Sequence, residues 1–485
     1  MRRFLPFACL LLCCGMAMGS AQIFVDAQNA SCPGSGTQQD PFCLIQLAIN
    51  AAADFDEIVV APGLYRENID FRGKQVRVRS TDGPDVTIIE ATNPGATVKF
   101  QNGETSTSIL EGFTVRGGSP GIEARQMTSP AILGNTISGN NRRDGAGIYM
   151  IGSSAYIIGN VIENNTAELK GAGMFIVGGS PYIRSNTIRE NSGGVSGGIE
   201  TTSRCKPHIA NNVIHDNWGR GIALTNSTIA TIINNTITRN TSYVGAGIEL
   251  LWSSQAYVTN TIVWDNIPDS TSRGVNSNIV VRASNIEGQN FGGQSINQNP
   301  HFIFPVGGDF RLSCDSPCID SGVSNGVQLP FEDADGEARV QDGDGDGFAE
   351  VDIGADEFGP LWRFQGFPRV GGNLVNFIVQ APSTFAGQTA ILAMSLSDSE
   401  TGVVLPGGMR LPLQPDGLTQ LWLSLPAAYR TATVTVACHS LPNQTKQFKI
   451  PPGFPIGVEI FWSGFTYDGT GTITDVLPAK SLLTE

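Results

Sequence analysis

Charge is scarce in this sequence. Only 15% of its 485 residues are Asp, Glu, Lys or Arg, and there are four histidines. The 30 basic residues do not cluster, so there is no electrostatic footprint for DNA or RNA, and we exclude nucleic acid as a partner. Long apolar runs are absent beyond the first twenty residues, which argues against a membrane span. No CxxC pair accompanies the scattered histidines, so the spacing does not suggest zinc. Amphipathic helical pattern is nearly absent too: one stretch, residues 42–56, places Ile45, Ala48, Ile49 and Ala52 on a single face.

Glycine is plentiful, at 58 residues, alongside many Asn, Thr and Ser. Low charge with this composition is typical of all-β extracellular material. The N-terminus reads MRRFLPFACLLLCCGMAMGSAQ: a basic start, a short apolar run, then Gly19-Ser20-Ala21. This pattern predicts a signal peptide over 1–21 and a secreted or cell-surface protein. Removing it leaves Cys32, Cys43, Cys205, Cys314, Cys318 and Cys438. Export permits disulfides. We expect Cys32–Cys43 and Cys314–Cys318, each closing a short turn-rich loop, and assign no role to Cys205 or Cys438.

A repeat of about 25 residues dominates the centre. Asn135, Asn160, Asn186, Asn212, Asn235 and Asn260 open N-x-I marks, and Asn140, Asn165, Asn191, Asn217 and Asn240 follow five residues after the first five. Gly147, Gly173, Gly198, Gly221 and Gly247 each precede Ile or Met. Between the marks lie strand-length apolar runs bounded by Gly/Asn/Ser turns, with no room for a crossover helix. A chain that coils, each turn pairing with the last, satisfies this pattern, with asparagines stacked along the coil.

The period and the N-[TV]-I…N…G-[AG]-[IM] marks resemble the parallel β-helix repeat of the pectin-lyase-like superfamily. The resemblance implies a right-handed parallel β-helix over 56–310, about ten coils and about 50 Å long. Residues 22–55 are expected to form an N-terminal cap with the helix as plug. Pro300 and Phe302, Gly308–Leu312, Ser316–Gly322 and Val351–Glu357 resemble the choice-of-anchor Q tail of bacterial secreted β-helix proteins, placed at 311–360. After Gly359-Pro360, alternating runs separated by Pro/Gly/Asp turns predict an Ig-like β-sandwich over 361–485.

Residues 331–358 hold eleven carboxylates against one base, Arg339. Within them, DGDGDG sets Asp342, Asp344 and Asp346 at alternate positions, with Glu350 and Asp352 beyond. Alternating carboxylates around glycine suit a hard cation, so we expect a structural calcium loop, with a solvated acidic loop as the alternative. It is no standard EF-hand, since Ile353 stands at position twelve.

Chemistry on the coil has weaker marks. The Asn-Thr-Asp, Asp-Asp, Gly-His-Gly and Arg-Ile-Lys motifs of the polygalacturonase-like family are missing, as are the lyase-like Arg-x-Pro-x-x-Arg and the epimerase-like Asp-Pro-His-Glu. Alternation places Tyr149, Phe175, Glu200, Ala223 and Glu249 in one outward row, and Ile151, Val177, Thr202, Thr225 and Leu251 in a parallel row that Trp252 follows. Glu200 and Glu249, two coils or about 9.6 Å apart, are the catalytic candidates. Tyr149, Phe175 and Trp252 are the candidate sugar-stacking residues. A second row, Glu163, Arg189, His215 and Thr238, beside Asn164, Glu190, Asp216 and Arg239, predicts a surface charge ladder. The expected function is a non-catalytic scaffold binding a polysaccharide or cell-surface component. The alternatives are a polysaccharide lyase or glycoside hydrolase on the coil face, and an adhesin or self-associating matrix protein.

Overall fold

The computed structural model describes residues 21–313, 315–343 and 348–358, together with the backbone of strands between 362 and 483. Three parallel sheets of eleven, nine and ten strands run the length of the coil. One turn shows how they are made. Ile122–Arg125 lies in the nine-strand sheet, Ala131–Leu133 in the eleven-strand sheet and Thr136–Ser138 in the ten-strand sheet. The chain then returns at Ile148–Ile151, directly beside Ile122–Arg125. Strands this short hold because β-branched residues suit the pleat and every inward one stacks on its copy in the next turn. Ile132, Ile157, Ile183, Ile209, Ile232 and Val258 form one such column, all fully buried. The nine to eleven rungs accord with the expected ten.

The asparagines form two buried ladders. In the first, each backbone N–H and side-chain amide donates to the side-chain oxygen one coil on: Asn135 to Asn160, Asn160 to Asn186, Asn186 to Asn212 and Asn212 to Asn235. The sixth place differs from expectation. Asn235 N–H donates to Thr261 Oγ1, so Thr261 and not Asn260 is the next rung. The register pairs Ile237 with Val263, one residue beyond the N-x-I match. Asn260 stands at the outer corner with φ 48°. The second ladder gains a member by the same shift, Asn240 donating to Asn266. The glycine row also has a cause other than positive φ. A Cβ on Gly147 would lie 2.5 Å from the carbonyl oxygen of Gly173, and one on Gly198 would lie 2.2 Å from that of Gly221. Coils approach too closely there for any side chain.

The helix Ile45–Ala51 buries Ile45, Ala48 and Ile49. The Glu67 carboxylate accepts from the N–H groups of Ile45 at 2.7 Å and Gln46 at 2.9 Å, satisfying two donors at the helix start. Burial pushes Glu67 above the usual carboxylate range, against those two bonds. Cys32 and Cys43 are bridged, with Cα atoms 5.3 Å apart.

The last coil strand is Asn285–Ile286, bridged to Ile296, so the coil closes before 310. The tail begins with an antiparallel pair, Phe302–Phe304 and Asp309–Leu312, and runs back along the coil. It docks on the corner between the eleven- and ten-strand sheets. There Asn211, Asn234 and Asn260 donate to the carbonyls of Glu332, Asp352 and Val323, at 2.5, 3.3 and 2.9 Å. Arg339 is the tail's buried anchor, donating to Glu357, Asn211 and the carbonyls of Gly354 and Ala355. Cys318 is a buried thiol packed with Ile262, Leu312, Ile353 and Phe358. It accepts from the Asn285 amide; the expected bridge to Cys314 falls on a residue outside the described ones. Beyond 361, strands such as Leu374–Val379 and Glu459–Tyr467 pair antiparallel in sheets of three, four and two. The packing of the expected sandwich lies outside the described residues, as do Cys438 and residues 1–20.

Candidate functional site

The outward row of the nine-strand sheet has the expected register: Tyr149 beside Phe175, then Glu200, Ala223 and Glu249. The row is not open to solvent. Loops from the preceding corner fold over it, three of them pairing as the small sheet Asn141–Asp144, Thr166–Lys170 and Ser192–Gly193. Ala146, Ala167 and Ala172 pack between roof and coil. Under this roof Glu200 is 1% exposed and Glu249 3%.

Each carboxylate is met by a cation from the coil before it. Lys170 Nζ lies 3.3 Å from Glu200 and Arg220 Nε 2.5 Å from Glu249. Ser196 Oγ donates to Glu200 at 2.6 Å and accepts from Gly171 N–H, fixing the roof on the acid. Burial raises the pKa of Glu249, opposed by Arg220 and reinforced by the negative charge of Glu200. With Ala223 between them, the two acids stand two rungs, about 9.6 Å, apart.

The aromatic candidates separate. Tyr149 and Phe175 stack, rings 5.9 Å apart, and the Arg142 guanidinium sits 3.6 Å from the Tyr149 centroid. That is a cation–π contact which closes the face of the ring. Trp252 stands at the next corner, 53% exposed, four coils along from Tyr149. The structure therefore does not bring these three residues together.

The second row keeps its expected pairing only in part. Glu163 and Arg189 are 2.7 Å apart. His215 and Asp216, neighbours in sequence, touch at 2.7 Å because Asp216 has left the strand at φ 51°. Arg239 completes this cluster, 2.8 Å from Asp216. Arg220, close by in sequence, is not part of it and pairs with Glu249. The cluster is not a surface ladder, since the tail covers it: Phe310 packs 4.7 Å from the His215 ring and Arg239 donates to the Pro305 carbonyl. Burial lowers the His215 pKa, against the pull of Asp216.

Of the calcium candidates, Asp344 and Asp346 lie outside the described residues. Gln341 and Glu350 bridge the ends of the loop, and the Glu350 side chain is exposed. Asp352 turns the other way. Its oxygens accept from the N–H groups of Asp320 and Phe358, at 2.7 and 2.5 Å, inside the tail. Burial pushes it up to about 7. Asp352 is thus a structural acid and not a member of the loop set. Among the described residues, no group of three or more acids, histidines or cysteines is placed to hold a metal.

One surface was missed. On the eleven-strand sheet the register aligns Tyr156, Tyr182, His208, Thr231 and Tyr257 in an outward column. Tyr156 and Tyr182 are 6.2 Å apart by ring centroids, and Tyr182 and His208 stack at 5.0 Å and 8°. The even 26-residue spacing of the first three was present in the sequence.

No curated protein matches the chain significantly. Among solved structures, the crystal structure of pectate lyase Pel9A aligns with TM-score 0.45 and 13% identity, over 71% of this chain and 98% of that one. The complex structure of XylC with xylose aligns with TM-score 0.40 and 12% identity, over 88% of this chain and all of the other. A family model described as a right handed beta helix region matches residues 77–263 and 179–304. Sequence pattern and strand register agree: from residue 77 to the last coil strand at Asn285–Ile286 the chain forms a right-handed parallel β-helix.

Proposed function

We propose that the protein is a secreted or cell-surface scaffold that binds a glycan or surface component along the outside of its coil and breaks no bonds. The observation that supports this is the state of Glu200 and Glu249. A general acid and base must reach substrate and a water. These two are roofed, and each is held by its own cation. The export reading rests on the leader, and the tail is proposed as an attachment module of the choice-of-anchor Q kind. Calcium is proposed for the loop around Asp342, Asp344 and Asp346, without Asp352. Calorimetric titration should detect calcium binding, abolished by Asp344→Ala; no heat from the native protein would refute it. The function is tested by incubating the full chain with neutral and acidic polysaccharides and measuring chain length. Retained polymer of unchanged length is expected. Shortened chains would overturn the reading and turn attention to Glu200→Gln and Glu249→Gln.

A further inference from the structure

We infer that the outer face of the eleven-strand sheet is a docking strip for an anionic polysaccharide, its rings laid along the coil axis against Tyr156, Tyr182, His208 and Tyr257. This rests on the glycan-binding reading and gives it a place and a ligand class.

The two large faces of the coil differ in access. On the nine-strand face the aromatic rings are roofed and capped by arginine. On the eleven-strand face Tyr156 is 42% and Tyr257 47% exposed. The column spans four rung intervals, about 19 Å, flat and regular because parallel strands set its spacing. Tyr182 and His208 stack on each other and present ring edges and polar atoms, Thr231 adds a hydroxyl, and the more exposed Tyr156 and Tyr257 stand outside that stack. This alternation of apolar and hydrogen-bonding contacts suits an extended polymer of sugar rings, whose faces are apolar and whose edges carry hydroxyls. A globular partner has no need of such a periodic row.

Charge selects the class. The protein carries a net charge of −14. Yet from Ala131 to Arg282 neither outward row of this sheet contains an Asp or Glu, and neither do the turns that lead into it. The same border carries exposed Arg204 and Lys206 on the turn before His208, and Arg273 farther along. Arg184 lies on the far side of the face, 3.7 Å from Glu332 of the tail. Outward rows without carboxylates, with Arg204 and Lys206 along the edge away from the acidic tail, complement a polymer bearing carboxylates or sulfates.

The experiment uses the full chain in affinity electrophoresis and calorimetry. The probes are polygalacturonate as the carboxylated polymer, dextran sulfate as the sulfated one and dextran as the neutral control. Binding to one or both anionic polymers, weakening with added salt, is expected. Tyr182→Ala should weaken it about tenfold. Arg204→Glu with Lys206→Glu should abolish the preference over dextran. Tyr257→Ala, at the far end of the column, is the second variant should Tyr182→Ala fold poorly, judged by its melting curve. Full binding by both well-folded tyrosine variants would overturn the assignment of this face while leaving the glycan-binding function intact. No binding of any polymer would overturn both. Loss of self-association, and not of polymer binding, in the tyrosine variants would make the face a protein interface and refute the proposal.

Discussion

Replacing Asn186 by alanine removes the centre of the first ladder. The Asn186 amide donates to the Ile157 carbonyl and to Asn212 Oδ1, both at 2.9 Å. Its oxygen accepts from the backbone N–H and side-chain amide of Asn160, again at 2.9 Å. Three of these bonds contribute about 1 kcal/mol each, net of water. The fourth leaves the Asn160 N–H buried without an acceptor, at about 1–3 kcal/mol. The expected loss is therefore about 4–6 kcal/mol, a large part of the stability of most domains. Asn186→Ser should lose only about half as much, because a hydroxyl keeps the acceptor, as Thr261 does for Asn235. Urea unfolding gives the total, and hydrogen exchange at the Asn160 amide reports the orphaned donor. Equal stability of the two variants, or unchanged exchange at Asn160, would refute the reasoning.

Gly198→Ala should destabilise the coil by several kcal/mol, since its Cβ would meet a backbone carbonyl at 2.2 Å; a native melting curve would show that the coils can part. Arg339→Met should release the tail, at about 3–5 kcal/mol, by stranding the Glu357 carboxylate, and Arg339→Met with Glu357→Leu should recover much of the loss; limited proteolysis after residue 300 reads both. The tail should also loosen as pH rises. Folding raises Asp352 from the ordinary carboxylate range to about 7, by burial first, so the folded state holds the extra proton. That stability is present below the unfolded value and is lost between about pH 4 and pH 7. Asp352→Asn should make the proteolysis profile shallower over that window, leaving the part carried by Asp335, Asp356 and Glu357, which burial also raises. Cys32→Ala should lower stability by about 3 kcal/mol by freeing the loop to Cys43, measured against the native protein in denaturant.

The coil was legible because its physics repeats. An inward isoleucine and a corner asparagine must recur wherever a turn must stack, so period and sheet rows could be read from spacing alone. The slip at Asn260 shows the limit. T-N-T-I-V-W offers two apolar residues, and the motif match chooses Ile262, while the coil turns Val263 inward and leaves Ile262 to the tail. No local signal says that an outward isoleucine will be covered from fifty residues away. The same holds for Glu200 and Glu249. Their row was readable, but the roof that seals them is made by loops whose sequences carry no common period. The contact of His215 with Asp216 was not legible, because alternation fails once one residue adopts the left-handed conformation. The tyrosine column was overlooked, although its register was as regular as that of the row singled out.

The first ladder ends in a different chemistry. After Asn235 the rungs become hydroxyls: Asn235 donates to Thr261, Thr261 to Ser284 and Ser284 to Ser295. Thr261 and Ser284 turn their own hydroxyls back to carbonyls two residues before them. Ser295 N–H donates to Gly292 within its own turn. From Asn135 to Asn212 each side-chain amide donates to the next rung, whereas the Asn235 amide already turns back to the Ile209 and Ile233 carbonyls. A hydroxyl rung folds its donor home. Passing from one to the other, the first ladder turns its last side-chain donors back onto its own turns before the coil ends.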